Sequence, residues 1–172
     1  MLDSDLIKKV EFISGCELES WRNKKGRLSR TGAPALVVIT DSKRVESYYE
    51  NGKLHRPEGL PAIVTPETLA WYMHGKLMMT YNIEAEDFAI AELFSLGFTA
   101  ILSVGAKVQT HLNSIPHSIG DFPSEIDMIE KTRKWHVNGV QFRAGGLPSF
   151  VSEDAVEFTD KNGRTIRVDS IQ

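Results

Sequence analysis

Tyr48-Tyr49-Glu50-Asn51-Gly52-Lys53-Leu54-His55-Arg56-Pro57-Glu58-Gly59-Leu60-Pro61-Ala62 carries three signals in order. An aromatic pair ends one apolar run, Asn51-Gly52 makes a tight turn, and Gly59-Leu60-Pro61-Ala62 opens the next apolar run. Asn-Gly suits a type I′ hairpin turn, because both central residues of that turn need positive φ.

The same order recurs on both sides. Upstream come Trp21, Gly26-Arg27, Arg30 and Gly32-Ala33-Pro34-Ala35, then the β-branched run Leu36-Val37-Val38-Ile39-Thr40. Such a run reads as a strand. Downstream, Leu69-Ala70-Trp71-Tyr72-Met73 turns at His74-Gly75-Lys76, but Met79 stands where the other units have arginine. The order resumes at Trp135-His136-Val137-Asn138-Gly139, Arg143 and Gly146-Leu147-Pro148-Ser149, and a last half-unit holds Phe158, Asn162-Gly163-Arg164 and Arg167. Neighbouring turn glycines within each run lie about 23–26 residues apart, a spacing that marks repeat architectures.

Each unit is expected to supply two antiparallel strands, and successive hairpins to pair into one long meander. A lone hairpin is marginal in water, so stacking must stabilise the array. Trp21, Tyr49, Trp71, Trp135 and Phe158 are expected in equivalent places before the turns, as an aromatic row on one face. Arg30, Arg56, Arg143 and Arg167 follow the turns and form a ladder. Two readings stand for it. Each arginine stacks on an aromatic or bonds a carbonyl within the array, or the ladder presents a stripe for phosphate or an acidic partner.

Four segments result: an N-terminal segment 1–20, hairpin repeats 21–79, an insert 80–132, and hairpin repeats 133–172. In the first, Leu6, Val10 and Ile13 have helical spacing, whereas Val10–Ser14 also suits a strand. In the insert, Phe88, Ile90, Ala91, Leu93 and Phe94 suit one face of a helix over 84–96. Glu84, Glu86 and Asp87 lie in its first turn and Gly97 stops it. Residues 99–108 read as helix or strand, and 114–124 as loop. The expected class is therefore α+β, mainly β, with a helical insert. Phe94, Leu96 and Phe98 are the insert's candidate anchors for a partner.

Composition bounds the function. The chain has 172 residues, 41% hydrophobic and 25% charged, with net charge −3 and a pI near 6.0. That suits a globular protein with a real core and no overall basic field. The single cysteine, Cys16, cannot form an internal disulfide and fits a reducing compartment. Neither a signal peptide nor a membrane-spanning apolar stretch is read, so a cytoplasmic setting is expected.

Catalytic constellations are sparse. His111 and His117 lie near Asp121, and a metal or general-base site could use them. Asp121, Glu125, Asp127 and Glu130 read as a helix start and its solvated face. No Gly-rich phosphate loop, Cys-x-x-Cys or Gly-x-Ser-x-Gly motif occurs. Ser114, Ser118 and Ser124 have no evident base beside them, and Cys16 reads as a small buried hydrophobe. No cofactor or metal is implied.

The units Tyr48–Ala62 and Trp135–Ser149 resemble the "aromatic-x-x-Asn-Gly-Lys-x-His-Arg-x-x-Gly-x-Pro-Ala" repeats of many tailed-phage and giant-virus proteins. Those repeats are similar to the variant MORN repeats of YwqK-type proteins. The resemblance covers residues 21–79 and 133–168. It implies β-hairpin repeats and binding rather than catalysis, in a phage-encoded accessory protein acting on a host enzyme or defence factor. The expected function is accordingly non-catalytic protein binding, with Phe94, Leu96, Phe98 and the four arginines as contacts. The alternatives are nucleic-acid binding through the arginine ladder, and a metal-dependent hydrolase using the insert histidines. An open sheet edge also invites self-association.

Overall fold

The computed structural model describes residues 5–91, 97–98, 100–104 (backbone only) and 106–171. Its regular structure is antiparallel strand with short 3-10 turns, and the described residues contain no α-helix. The chain divides into two compact units, Met1–Ala85 with Ala89–Glu92, and Glu86–Phe88 with Leu93–Gln172.

In the first unit, β1 (Ile7–Ile13) and β2 (Cys16–Arg22) form a hairpin closed by Ser14-Gly15, at φ 52° and 80°. These are the two positive values a type I′ turn requires. From Ile7 on, the segment left open between helix and strand is thus strand. β3 (Leu36–Ile39) and β4 (Arg44–Ser47) follow, then the short pair β5 (Tyr49–Glu50) and β6 (Lys53–Leu54), then β7 (Ile63–Val64), β8 (Thr68–Met73), β9 (Lys76–Asn82) and β10 (Asp87–Ile90), of which Ala89 and Ile90 belong to this unit. The sheet order is β1-β2-β3-β4-β7-β8-β9-β10, while β5 and β6 pair only with each other. The expected hairpin at Asn51-Gly52 exists, with φ 51° and 85°. It is the tip of a loop standing off the sheet, however, because the main ladder pairs Ser47 with Ile63 across it.

The second unit holds β11 (Ala100–Val104), β12 (Lys107–Leu112), β13 (Ile115–Pro116), β14 (Glu125–Asp127), β15 (Thr132–Lys134), the short pair β16 (His136–Val137) and β17 (Val140–Gln141), then β18 (Phe150–Val151), β19 (Ala155–Thr159) and β20 (Thr165–Ser170). Its order is β11-β12-β14-β15-β18-β19-β20, with β13 against β12. The array therefore builds two sheets, not one continuous meander.

The helix predicted over 84–96 does not form in its described part. Glu86 has φ 51°, a turn value closed to a right-handed helix, and residues 87–90 are strand. The alternation of Phe88 and Ile90 with Asp87 and Ala89 is a strand period, which the short apolar run did not separate from a helical one. Residues 92–96 lie outside the described residues.

One loop geometry recurs. The N–H of Trp21, Tyr48, Thr110 and Trp135 donates to the carbonyl of Ala35, Ala62, Ser124 and Ser149 respectively, at 2.7–2.9 Å. These residues are the same distance apart in sequence each time. Back-bonds close the tips: Ser29, His55, His117 and Phe142 N–H donate to Trp21, Tyr48, Thr110 and Trp135. The closing Ala35, Ala62, Ser124 and Ser149 are fully buried. Each also donates its own N–H to the next strand, so only a small side chain fits beneath the loop. Residues 110–124, of which 114–124 read as a plain loop, are thus a degenerate repeat in which Asn113-Ser114 stands for Asn-Gly and Phe122-Pro123-Ser124 for x-Pro-Ala.

The loops also stack on one another. Gly52, Gly75 and Gly139 N–H donate to Leu28, Leu54 and Pro116 of the preceding loop at 2.7, 2.8 and 3.0 Å. A Cβ on Gly139 would stand 2.8 Å from Ile115 Cγ2 at φ +80°, so that rung excludes other residues on space and conformation alike.

Candidate functional site

Arg30, Arg56, Arg143 and Arg167 lie over Trp21, Tyr48, Trp135 and Phe158, with 4.1, 3.7, 4.0 and 3.6 Å between guanidinium carbon and ring centroid. Arg30, Arg56 and Arg143 also donate from Nη1 to the carbonyls of Pro34, Pro61 and Pro148 at 3.3–3.4 Å. Arg143 pairs with Asp121 as well. The motif is a closed device: the arginine staples the aromatic to the proline carbonyl at the far end of its own loop. Burial lowers the pKa of Arg56, opposed by the nearby Tyr48, Glu46 and Glu58. Where no loop intervenes, Met79 and Arg167 sit directly across from Trp71 and Phe158, each beside a break in register. Met79, the odd residue in sequence, fills the arginine's place as a buried apolar partner.

The aromatic of the second unit is Tyr48, not the expected Tyr49. Tyr48 is buried under Arg56, and Tyr49 lies on β5 in the loop tip. A one-residue slip along a strand reverses the face a side chain takes.

Of the insert's expected anchors, Phe94 and Leu96 lie outside the described residues. Phe98 is buried, which removes it as an exposed contact. His117 accepts the Asn138 N–H at Nδ1 (3.0 Å), a rung between two loops. Glu125 does not lie on a solvated helix face. It is a buried strand residue bonded by Gln109, by Lys134 (2.7 Å) and by Lys107 (3.2 Å). Burial alone would raise its carboxyl, but the bonds from Lys134 and Gln109 outweigh it and hold the pKa at about 2.

Ser124 does have a base beside it: its Oγ is 2.8 Å from His136 Nδ1. Burial lowers the pKa of the ring, against the pull of Glu125. The pair still lacks a nucleophile's access. Ser124 is 1% exposed, and its Oγ also bonds the Lys134 carbonyl. It locks one repeat to the next. Sequence distance hid this contact, which the repeat register brings together.

The histidines that converge are His55 and His74, with ring centroids 4.1 Å apart and planes at 27°. With Glu50 they form the one set of three close metal-type donors among the described residues, all within 4.8 Å. Nearly parallel rings send their in-plane lone pairs side by side, not to one point. A shared ion would need one ring to leave the stack.

Beside them opens a cleft of about 430 Å³ between the first two loops. Arg30, Thr31 and Gly32 form one wall; Tyr49, His55, Arg56 and Leu60 contribute to the other. A guanidinium has five N–H donors, and Glu50 and Glu58 line the cleft beside Arg30 and Arg56. The cleft can take a short chain segment with a carboxylate or carbonyl directed at the arginines.

The architecture defines a class: a mainly β protein of stacked, loop-bearing antiparallel hairpins. No protein-family model, curated protein or solved structure matches the chain. Among the described residues no helix is long and apolar enough to cross a membrane.

Proposed function

We propose that the chain is a non-catalytic binding protein whose partner is another protein, held at the cleft between the first two loops. One observation carries this reading. The serine and glutamate that suggested chemistry are tied into the fold, whereas the cleft is open and lined by aromatic and apolar groups together with Arg30, Arg56, Glu50 and Glu58. Interface anchors are rich in tyrosine and arginine. The partner presents a loop-like segment of mixed polarity, matching a cleft that holds both arginines and glutamates, and the rigid repeats hold the cleft without rearrangement. In keeping with the resemblance of the repeats, the partner is a host enzyme or defence factor, bound in the host cytoplasm and inhibited by occupancy.

Thr31 lines the cleft and is exposed, so Thr31→Trp fills it without touching the stacks. Affinity capture from host lysate should retain a protein on the wild type and lose it on Thr31→Trp. Retention by both variants, or by neither, sinks the reading. Retention of nucleic acid, released steeply by salt, would favour the arginine-ladder alternative.

A further inference from the structure

The first sheet ends in β1, a seven-residue edge strand with the sequence Ile7-Lys8-Lys9-Val10-Glu11-Phe12-Ile13. Its apolar side chains are open: Phe12 is 78% exposed, Ile7 62%, Ile13 53% and Val10 43%. The strand has no proline or bulge, and it pairs with β2 in unbroken register from Ile7↔Arg22 to Ile13↔Cys16. Such an edge is a template for another strand.

We infer that the occupant is a second copy of β1, antiparallel across a two-fold axis at Val10. The backbone selects that register. The two-residue turn makes Ile13 and Cys16 a hydrogen-bonded pair, so Ile13, Glu11, Lys9 and Ile7 turn their N–H and C=O toward β2. Lys8, Val10 and Phe12 then turn theirs outward. Pairing about Val10 sets Lys8 against Phe12, Val10 against Val10 and Phe12 against Lys8, so every outward-facing group meets another.

The side chains agree. On one face Ile7 meets Ile13 and Lys9 meets Glu11 of the other copy; on the opposite face the Phe12 ring lies against the aliphatic stem of Lys8, whose ammonium is bonded to Glu19 at 2.5 Å. Lys9 and Glu11 already pair within one strand at 2.7 Å, so across the axis two lysines and two glutamates alternate in a square. Lysines on an edge normally discourage pairing; here Lys9 finds its complement in Glu11 of this strand's own sequence, and Lys8 is held by Glu19 and the Trp21 ring of β2. In the second sheet the edge strand β20 is less suited. Its ladder with β19 is broken by a register shift, and its Arg167 is held by Phe158 and Asp169.

One strand pair covers less surface than the roughly 1,200–2,000 Å² of stable complexes, so the dimer is weak, with Kd on the order of 10–100 μM. Sedimentation velocity on the full chain, from about 10 μM to about 1 mM, should show a monomer–dimer equilibrium that stops at two. Val10→Pro removes an outward N–H while sparing the bonds to β2, and should give monomer with an unchanged circular dichroism spectrum. Lys9→Glu puts glutamates opposite one another twice per dimer and should weaken association about tenfold or more. Lys9→Glu with Glu11→Lys should restore it, which a merely structural lysine would not predict. A wild type monomeric throughout, a dimer indifferent to Val10→Pro and Lys9→Glu, or growth beyond two copies would overturn the inference.

Discussion

At the scale of single residues, the arginine ladder shows how repetition misleads. A cation recurring in register suggests a surface for anions, and the same recurrence follows if each unit needs an internal staple. Arg143 is the most enclosed of the four, against Trp135, the Pro148 carbonyl and Asp121. Arg143→Ala leaves these partners unmatched and should cost about 2–4 kcal/mol in urea unfolding. Arg143→Lys should recover little, because an ammonium neither stacks flat nor bonds two acceptors at a fixed angle. Arg167 is mostly exposed on an edge strand, and Arg167→Ala should cost about 0.5–1 kcal/mol. Equal costs at both sites would contradict the staple. The alanine of Gly-x-Pro-Ala is equally constrained: Ala62 is wholly buried and bonded on both sides. Ala62→Leu should destabilise by about 1–3 kcal/mol or prevent folding.

Elements were legible where turn chemistry marked them and illegible where it was worn away. Asn51-Gly52 and Asn138-Gly139 announced their hairpins because few residue pairs accept two positive φ values. Asn113-Ser114 adopts the same values, φ 51° and 64°, with serine in the glycine's place, and Thr110 and Ser118 replace the aromatic and the arginine. That unit kept its backbone bonds while losing the side chains that advertise them, so its stretch read as an insert. The helix read at 84–96, absent from its described part, has a similar cause: a short apolar run without a turn signal left the period undecided. The cleft was not legible at all, since it depends on how two loops stack. The rungs between loops give a test at this scale. Gly139→Ala forces a left-handed alanine against Ile115 and should cost about 1–3 kcal/mol. At Gly26 a Cβ would meet nothing within 4 Å, and alanine should cost only the conformational part, about 1–2 kcal/mol. The difference between the two unfolding free energies measures the rung.

At the scale of the molecule, two sheets built to one plan carry different electrostatics, and acid should separate them. Glu125 lies inside the second sheet with its pKa held at about 2 against an ordinary 4.5. A carboxylate whose folded pKa is depressed contributes stability that is complete above its unfolded pKa and lost as pH falls through the folded one. The window therefore runs from about pH 4.5 down to about 2, and the loss across it is about 2–3 kcal/mol. Each unit has its own reporter. The Trp71 indole N–H donates to the Gly59 carbonyl in the first, and the Trp135 indole N–H to the Asp121 carbonyl in the second. Urea titrations followed by these two NMR signals should show the Trp135 midpoint falling steeply from pH 5 to pH 2 and the Trp71 midpoint falling less. Glu125→Gln, which keeps the shape and cannot ionise, should lower the Trp135 midpoint at neutral pH and flatten its dependence below pH 5. If Trp135 and Trp71 respond to acid alike, and the Glu125→Gln substitution changes neither, the buried carboxylate is not what holds the second sheet.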